Sequence, residues 1–126
     1  MKFVCLACEE ESVFNALSRS EWELLRRETL DYVEELRRSG HLIAAEPLQS
    51  ARTAATVRVR HGKVSITDGP FAETKEQLAG FYLIDARDLN EAIQLASKIP
   101  PARVGSIEVR PIRPIREMQG QTIPSR

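Results

Sequence analysis

The triplet Asp68-Gly69-Pro70 constrains the fold of this 126-residue chain more than any other stretch. Residues 64–67, just before it, alternate apolar and polar side chains as a half-buried strand does. Pro70 cannot donate the main-chain hydrogen bond that would extend this strand, and Gly69 tolerates the positive φ of a tight turn. The sequence therefore predicts a strand that ends at Asp68 and holds this carboxylate at a rigid elbow.

The segment after the elbow leads into another strand. Thr74 and Gln77 have the spacing of a capping box, which predicts a short helical turn. Residues 81–85 are mostly apolar and are predicted to form the strand that follows.

A hairpin is predicted before the elbow, from residues 54–60 and 63–67 joined by the turn His61-Gly62. In this register Val59 pairs with Val64 and Val57 with Ile66, so all four apolar side chains share one face. Arg60 and Lys63 lie opposite each other on the other face, where their like charges repel unless an anion or solvent intervenes.

Hydrophobic periodicity predicts two amphipathic helices. The first covers residues 21–38, with Ser20 and Glu23 as its capping box. The second follows a capping box at Asp88 and Glu91 and stops at Pro100. The predicted buried positions are Trp22, Leu24, Leu25, Thr29, Tyr32, Val33 and Leu36 on the first helix, and Leu89, Ala92, Ile93, Ala96 and Ile99 on the second.

The remaining strands complete an α+β plan. Residues 2–7 read as a buried strand followed by a polar loop, residues 41–48 as an edge strand limited by Pro47, and residues 105–112 as a half-buried strand. The order is the ferredoxin-like βαββαβ with an enlarged central hairpin, in a domain of residues 1–113. Residues 114–126 are predicted to be a flexible tail or an arm against a partner subunit.

Composition excludes several functional classes. Eighteen basic residues balance eighteen acidic ones, so no overall field favours nucleic acid or an anionic membrane, and we expect neither as a partner. The apolar start, residues 1–8, is too short to span a bilayer and does not resemble a signal peptide. We therefore expect a cytoplasmic protein.

Cys5 and Cys8 form a Cys-x-x-Cys motif, but residues three apart on a strand point to opposite faces, and the glutamates that follow do not activate a thiol. We interpret both as core or strand-end residues. The chain has no metal-ligand spacing and no phosphate-binding glycine loop, so we expect no metal and no cofactor.

The run Thr67-Asp68-Gly69-Pro70-Phe71-Ala72-Glu73-Thr74-Lys75-Glu76-Gln77-Leu78 closely resembles the signature of DGPF-domain proteins, a branch of the YCII-related family. The resemblance covers roughly residues 1–112. It implies a ferredoxin-like protomer that pairs into a dimeric α/β barrel with a cleft beside the sheet. Most of this family has no established reaction, so the resemblance implies little about activity.

Two further family properties bear on function. Related YCII-type proteins carry a helix histidine that pairs with an aspartate, and Thr29 stands at that position here, so the dyad is missing. Genes for DGPF-domain proteins often lie beside those of extracytoplasmic-function sigma factors, which implies a sigma factor as a possible partner.

Asp68 is the first candidate for chemistry, as a general acid or base at the edge of an apolar cleft. The alternative is that Asp68 only forms the turn. The ligand-binding candidates are Glu46, Phe71, Lys75 and Phe81. Glu46 lies in an apolar segment where burial without a partner is costly, so we expect it to contact a hydroxyl or a cation such as Arg58, Arg60 or Lys75. His41 and His61 are expected to be exposed.

These features predict a homodimer, because two helices cover one sheet face and leave the other bare. The leading hypothesis is a small organic ligand in the cleft between sheet and helices, with proton-transfer chemistry of the lyase or isomerase type. The alternatives are a non-enzymatic accessory or regulatory protein of a sigma factor and a purely structural dimer.

Overall fold

A computed structural model describes residues 1–118 as one four-stranded antiparallel sheet, helices, and a separate two-stranded hairpin. The strands are β1 Lys2–Glu9, β2 Leu42–Pro47, β3 Ala55–Arg60, β4 Lys63–Asp68, β5 Gln77–Asp85 and β6 Gly105–Pro111. The helices are α1 Glu11–Asn15, α2 Arg19–Arg38, α3 Leu89–Ser97 and α4 Ile115–Met118, and short 3-10 turns cover Ala51–Thr53 and Pro100–Arg103.

The strand order in the main sheet is β2-β5-β1-β6, and every neighbouring pair is antiparallel. Two strand-helix-strand units, β1-α2-β2 and β5-α3-β6, interleave to give this order. The architecture is α+β and compatible with the ferredoxin-like plan, as predicted. Strands β3 and β4 are the enlarged middle, and they pair only with each other.

The core lies between the sheet and the two long helices. Phe3 and Cys5 of β1 and Ile84 of β5 are almost fully buried there. The hydroxyl of Tyr32 on α2 donates a hydrogen bond to the main-chain oxygen of Leu95 on α3 at 2.6 Å, which joins the two helices. Burial raises the pKa of Tyr32 to about 12, so this hydroxyl remains a donor at neutral pH.

The start of α2 differs from the prediction. Its N-cap is Ser18, whose hydroxyl accepts a hydrogen bond from the main-chain N–H of Glu21, while the Glu21 carboxylate accepts one from the N–H of Ser18. The predicted Ser20–Glu23 box is therefore wrong by two residues. On the helix itself, Trp22 and Leu24 are exposed, whereas Leu25, Tyr32 and Leu36 are buried as predicted.

Helix α3 agrees more closely with its sequence-based prediction than α2 does. Asp88 caps α3 by accepting from the N–H of Glu91, and Ala92, Ala96 and Ile99 are buried, although Leu89 and Ile93 are exposed. The polar loop predicted after β1 is wrong, because residues 11–15 form α1. The tail begins with α4, and residues 119–126 lie outside the described residues.

The hairpin register is confirmed. Val57 pairs with Ile66, Val59 with Val64, and Arg60 with Lys63. The turn residues His61 and Gly62 have φ values of 53° and 76°, which is the geometry of the tight hairpin turn that twists with the strands.

The helix-free face of the main sheet, called the open face below, carries alternate residues of its strands. Val4 and Leu6 of β1 stand beside Leu83 and Phe81 of β5, and all four are half-buried. The edges of the open face are polar, with Glu46 opposite Phe81 on β2 and Glu108 opposite Leu6 on β6. Among residues 1–118, no helix is long and apolar enough to cross a membrane.

Candidate functional site

Asp68 ends β4, as the sequence predicts, and Gly69 follows with a φ of 100°. The register places Asp68 opposite Ala55, on the same hairpin face as Val57 and Ile66. Its side chain is exposed, and it accepts no hydrogen bond from any of residues 1–118. The Asp68 carboxylate is therefore not used to build the turn, and its predicted role in chemistry remains a prediction.

The loop after Asp68 is fastened by the polar face of the hairpin. The Thr56 hydroxyl donates to the main-chain oxygen of Gly69 at 2.8 Å, and Nη2 of Arg58 donates to that of Phe71 at 3.2 Å. The Phe71 side chain is 79% exposed. The loop backbone is thus held in place while its aromatic side chain points into solvent.

The predicted helical turn at Thr74 and Gln77 is wrong. Gln77 begins β5, and its Nε2 donates to the main-chain oxygens of Ala72 at 3.2 Å and Thr74 at 3.0 Å. These bonds give the loop carbonyls the partners that a helical turn would otherwise supply.

Glu46 differs from its expected environment. The sequence predicts contact with a hydroxyl or with a cation such as Arg58, Arg60 or Lys75, but Glu46 is exposed and forms no ion pair with any described residue. The reason is its position on the edge strand β2, where its side chain lies on the open face next to Phe81. Desolvation therefore does not force Glu46 to find a cation within one chain.

The five predicted site residues fall into two groups within a single chain. Asp68, Phe71 and Lys75 belong to the hairpin and its loop, and all three are exposed. Glu46 and Phe81 stand side by side on the open face.

A cavity of about 530 Å³ lies elsewhere, where α1, the 3-10 turn after β2 and the start of β5 meet. Its polar lining includes Glu9, Glu11, Arg52 and Gln77, and none of the five predicted residues contributes to it. Its apolar lining is formed by Phe14, Leu48, Leu78 and Ala79. This mixture of apolar walls and a few charged groups is typical of small-molecule sites.

Glu11 closes one side of this cavity. Its Oε1 accepts hydrogen bonds from the N–H of Ala51 at 2.9 Å and from the hydroxyl of Ser50 at 2.8 Å. These two bonds, with the nearby charge of Arg52, hold the pKa of Glu11 below its usual value. Glu11 is therefore an ionised, structural carboxylate.

The pKa of Glu9 is displaced in the opposite direction from that of Glu11. Glu9 ends β1, in register with Gln77 of β5 and Gly105 of β6, and it is half-buried. Burial and then the negative charge of Glu11 raise the pKa of Glu9. Two neighbouring carboxyl groups thus have their pKa values displaced in opposite directions, which is a common arrangement for a proton donor beside a fixed anion.

Sequence reasoning missed these residues. On sequence alone, the run Glu9-Glu10-Glu11 is assigned to the charged boundary of the first strand and to the acidic surroundings of the cysteines, although three acidic residues directly after a buried strand are a usable signal of a site. Arg52 could not have been assigned, because it reaches the cavity through the turn Ala51–Thr53, far along the chain.

The cysteines and histidines show no catalytic arrangement. Cys5 is buried in the core and its pKa is raised to about 11 by burial, and Cys8 is half-buried. His41 is half-buried, and its Nδ1 is hydrogen-bonded to the main-chain oxygen of Asp85 at 2.8 Å. His61 occupies the hairpin turn. Within residues 1–118, no cluster of three or more His, Cys, Asp or Glu side chains could hold a metal ion.

Comparison with known proteins agrees with the signature around Asp68. The family model of the YCII-related domain matches residues 1–116. A relative from Rhizobium meliloti (strain 1021), described as an uncharacterized protein, is 40% identical over 114 residues, which are 89% of this chain and 92% of the relative. The chain therefore belongs to the YCII-related family.

Proposed function

We propose that this protein binds a small organic molecule in the cavity beside Glu9 and that Glu9 exchanges a proton with it. The observation that carries the proposal is the position of Glu9, a half-buried carboxyl group in the wall of a 530 Å³ cavity that also contains a cation and an amide.

The lining defines the class of ligand. Phe14, Leu48 and Leu78 suit an apolar body, and Arg52 suits a carboxylate or another anionic group at one end. Burial and the charge of Glu11 raise the pKa of Glu9, so this carboxyl group holds its proton to higher pH than an ordinary glutamate. The reaction it supports is proton transfer of the lyase or isomerase type.

Ligand binding is tested by a thermal-shift screen of small metabolites, including short carboxylic acids, against the wild type. A ligand that binds the native state raises Tm by mass action. Each hit is then measured with Glu9→Gln and Arg52→Ala, and with Glu10→Gln as a control, since Glu10 does not line the cavity. We expect the shift to be lost with the first two variants and kept with the control. Hits that all three variants retain would place the ligand elsewhere.

We also propose that the chain is a homodimer in which a second copy covers the open face. The support is the half-buried apolar group Val4, Leu6, Phe81 and Leu83, over which no helix of the described chain lies. Sedimentation velocity at micromolar concentration tests the dimer separately from ligand binding.

A regulatory role beside an extracytoplasmic-function sigma factor is the second candidate function. The outer side of α2, where Trp22 is 41% and Leu30 is 53% exposed in a shallow groove next to Arg26, offers a contact surface for such a partner. This function predicts stoichiometric co-purification with such a sigma factor and its loss in Leu30→Lys. A stable wild type that never retains the sigma factor would contradict it.

A further inference from the structure

The hairpin β3–β4 has an apolar face and a cationic face, and both are exposed. Its apolar face has four side chains that are each more than half exposed: Val57, Val59, Val64 and Ile66. Its opposite face has three cations, none of which forms an ion pair with a described residue: Arg58, Arg60 and Lys63. Residues 54–67 contain no Asp or Glu, so this hairpin is a positively charged part of a chain whose net charge is zero.

The outer edge of β3 has main-chain groups without a strand partner in the described chain, because β3 and β4 pair only with each other. Arg60 and Lys63 flank the two-residue turn and form the hydrogen-bonded pair next to it. In the alternating antiparallel pattern, the N–H and C=O of Val57 and Val59 then point away from β4. Nη1 of Arg60 donates to the main-chain oxygen of Val59 at 3.1 Å, as expected for a carbonyl that no strand satisfies.

We infer that the outer edge of β3 binds an extended segment of another protein in which apolar and acidic residues alternate. The segment adds to the hairpin as a third strand and bonds to the main chain of Val57 and Val59. Its apolar side chains extend the apolar face, and its carboxylates lie beside Arg58 and Arg60 on the other face. One added strand thus supplies a partner to both faces. This surface is separate from the cavity beside Glu9, whose lining contains none of residues 55–68.

The positions of the cations favour β3 over β4. Arg58 and Arg60 are two residues apart on β3, which is the spacing of successive side chains on one face of an added strand. On β4, Lys63 is the only cation. The guanidinium of Arg58 has several N–H donors, so the bond from its Nη2 to the main-chain oxygen of Phe71 leaves others for a carboxylate.

Charge also favours a different protein over a second copy. If two β3 strands pair with their apolar residues on a common face, the arginines of the two copies occupy neighbouring positions, and like charges there destabilise the pair. An acidic strand has the opposite effect, because each carboxylate beside Arg58 or Arg60 forms a cross-strand ion pair. Charged side chains are a common barrier to self-association of edge strands. Here they leave the edge accessible to a segment of opposite charge.

Fluorescence anisotropy of labelled synthetic peptides with the full chain tests the chemistry of the partner. The probe is a short peptide in which valine and glutamate alternate. One control peptide has the same residues in two blocks, and the other alternates valine and lysine. We expect the probe to bind about tenfold more tightly than either control, because only the probe matches both faces. Failure of the probe to bind, or equal affinity for the probe and either control, would overturn the inference.

Proline substitutions identify the edge that is used. Val59 and Val64 pair across the hairpin, and their N–H groups point to opposite outer edges. Proline is tolerated on an edge strand where its missing N–H faces outward, and each change removes one valine from the apolar face. We expect Val59→Pro to weaken binding of the probe about tenfold and Val64→Pro to leave its affinity within about twofold. Equal affinities of the two variants would overturn the assignment to β3. So would a wild type whose mass in sedimentation velocity falls in Val59→Pro, since a second copy would then occupy this edge.

Removing single charges tests the same edge without a change of backbone. Arg60→Gln and Lys63→Gln each remove one cation at directly opposed positions, so the overall charge changes equally. We expect Arg60→Gln to weaken binding of the probe about fivefold and Lys63→Gln to have less than about a twofold effect. Equal losses in the two variants would show a general attraction to acidic peptides and would overturn the inference.

Discussion

The Glu11 carboxylate accepts a hydrogen bond from the main-chain N–H of Ala51, 2.9 Å away and 40 residues later in the chain. Ala51 opens the 3-10 turn between β2 and β3, so its N–H has no partner within that turn. This one bond joins α1 to the connection that leads into the hairpin. Together with the hydrogen bond from the Ser50 hydroxyl, it holds the Glu11 carboxylate in the wall of the cavity beside Glu9.

We predict that Glu11→Gln removes a pH-dependent part of the stability. Because the folded pKa of Glu11 is lower than its ordinary value of 4.5, the ionised carboxylate stabilises the fold above about pH 4.5. This contribution is lost as pH falls through the folded pKa. The wild type should therefore be more stable than the variant at pH 7, and the difference should disappear in strong acid.

Urea unfolding between pH 7 and pH 3 measures this difference. Glu10→Gln is the control, since the Glu10 side chain has no hydrogen-bond partner among the described residues. Parallel pH profiles for the wild type and Glu11→Gln would show that the bond to Ala51 contributes no stability.

Two serines near the start of α2 could each cap this helix. Ser18–Glu21 and Ser20–Glu23 both have capping-box spacing, so this pattern alone cannot choose between them. The apolar residues around each serine do discriminate. With Ser18 as the cap, Leu17 and Trp22 occupy the two positions of a hydrophobic staple, whereas with Ser20 the first position would be Arg19. The hydrophobic staple therefore identifies Ser18 as the cap from the sequence alone.

The sequence predicts which residues of the hairpin pair with each other, but it does not predict what surrounds the apolar face of the hairpin. Alternation and the His61-Gly62 turn determine which residues pair, because these are local properties. Whether Val57 and Ile66 meet a covering surface depends on where the hairpin projects from the sheet, which no local pattern encodes. The same holds for the cavity, where Glu9 and Arg52 meet only after β1 and the turn Ala51–Thr53 are in place.

We predict that Arg58→Ala loosens the loop after Asp68. Nη2 of Arg58 holds the main-chain oxygen of Phe71, and an exposed hydrogen bond of this kind contributes about 1 kcal/mol. The loop contains Lys75, a trypsin site. We expect limited trypsin digestion to cut after Lys75 several-fold faster in the variant, because local opening controls access to the bond.

Arg60→Ala is the matched control for this experiment. Arg60 lies on the same hairpin face as Arg58, but its guanidinium donates to the main-chain oxygen of Val59 and not to the loop. Equal rates of cleavage after Lys75 in the two variants would show that Arg58 does not anchor the loop.

The last prediction concerns Gly105, where β6 begins beside the end of β1. A Cβ atom at this position would lie 2.2 Å from the main-chain oxygen of Cys8 and 3.3 Å from Cα of Glu9. Both atoms belong to the backbone, so no side-chain rotation relieves the overlap, and the two strands must move apart. We expect Gly105→Ala to cost about 3 kcal/mol or more, the upper range for overpacking. Ser106→Ala, the control on the same strand, loses only a hydrogen bond to Glu76 and should cost about 1 kcal/mol. Because Glu9 lies at this contact, Gly105→Ala should also weaken any ligand that depends on Glu9. Urea unfolding of both variants measures the costs, and similar midpoints would show that the β1 and β6 backbones can separate here without loss.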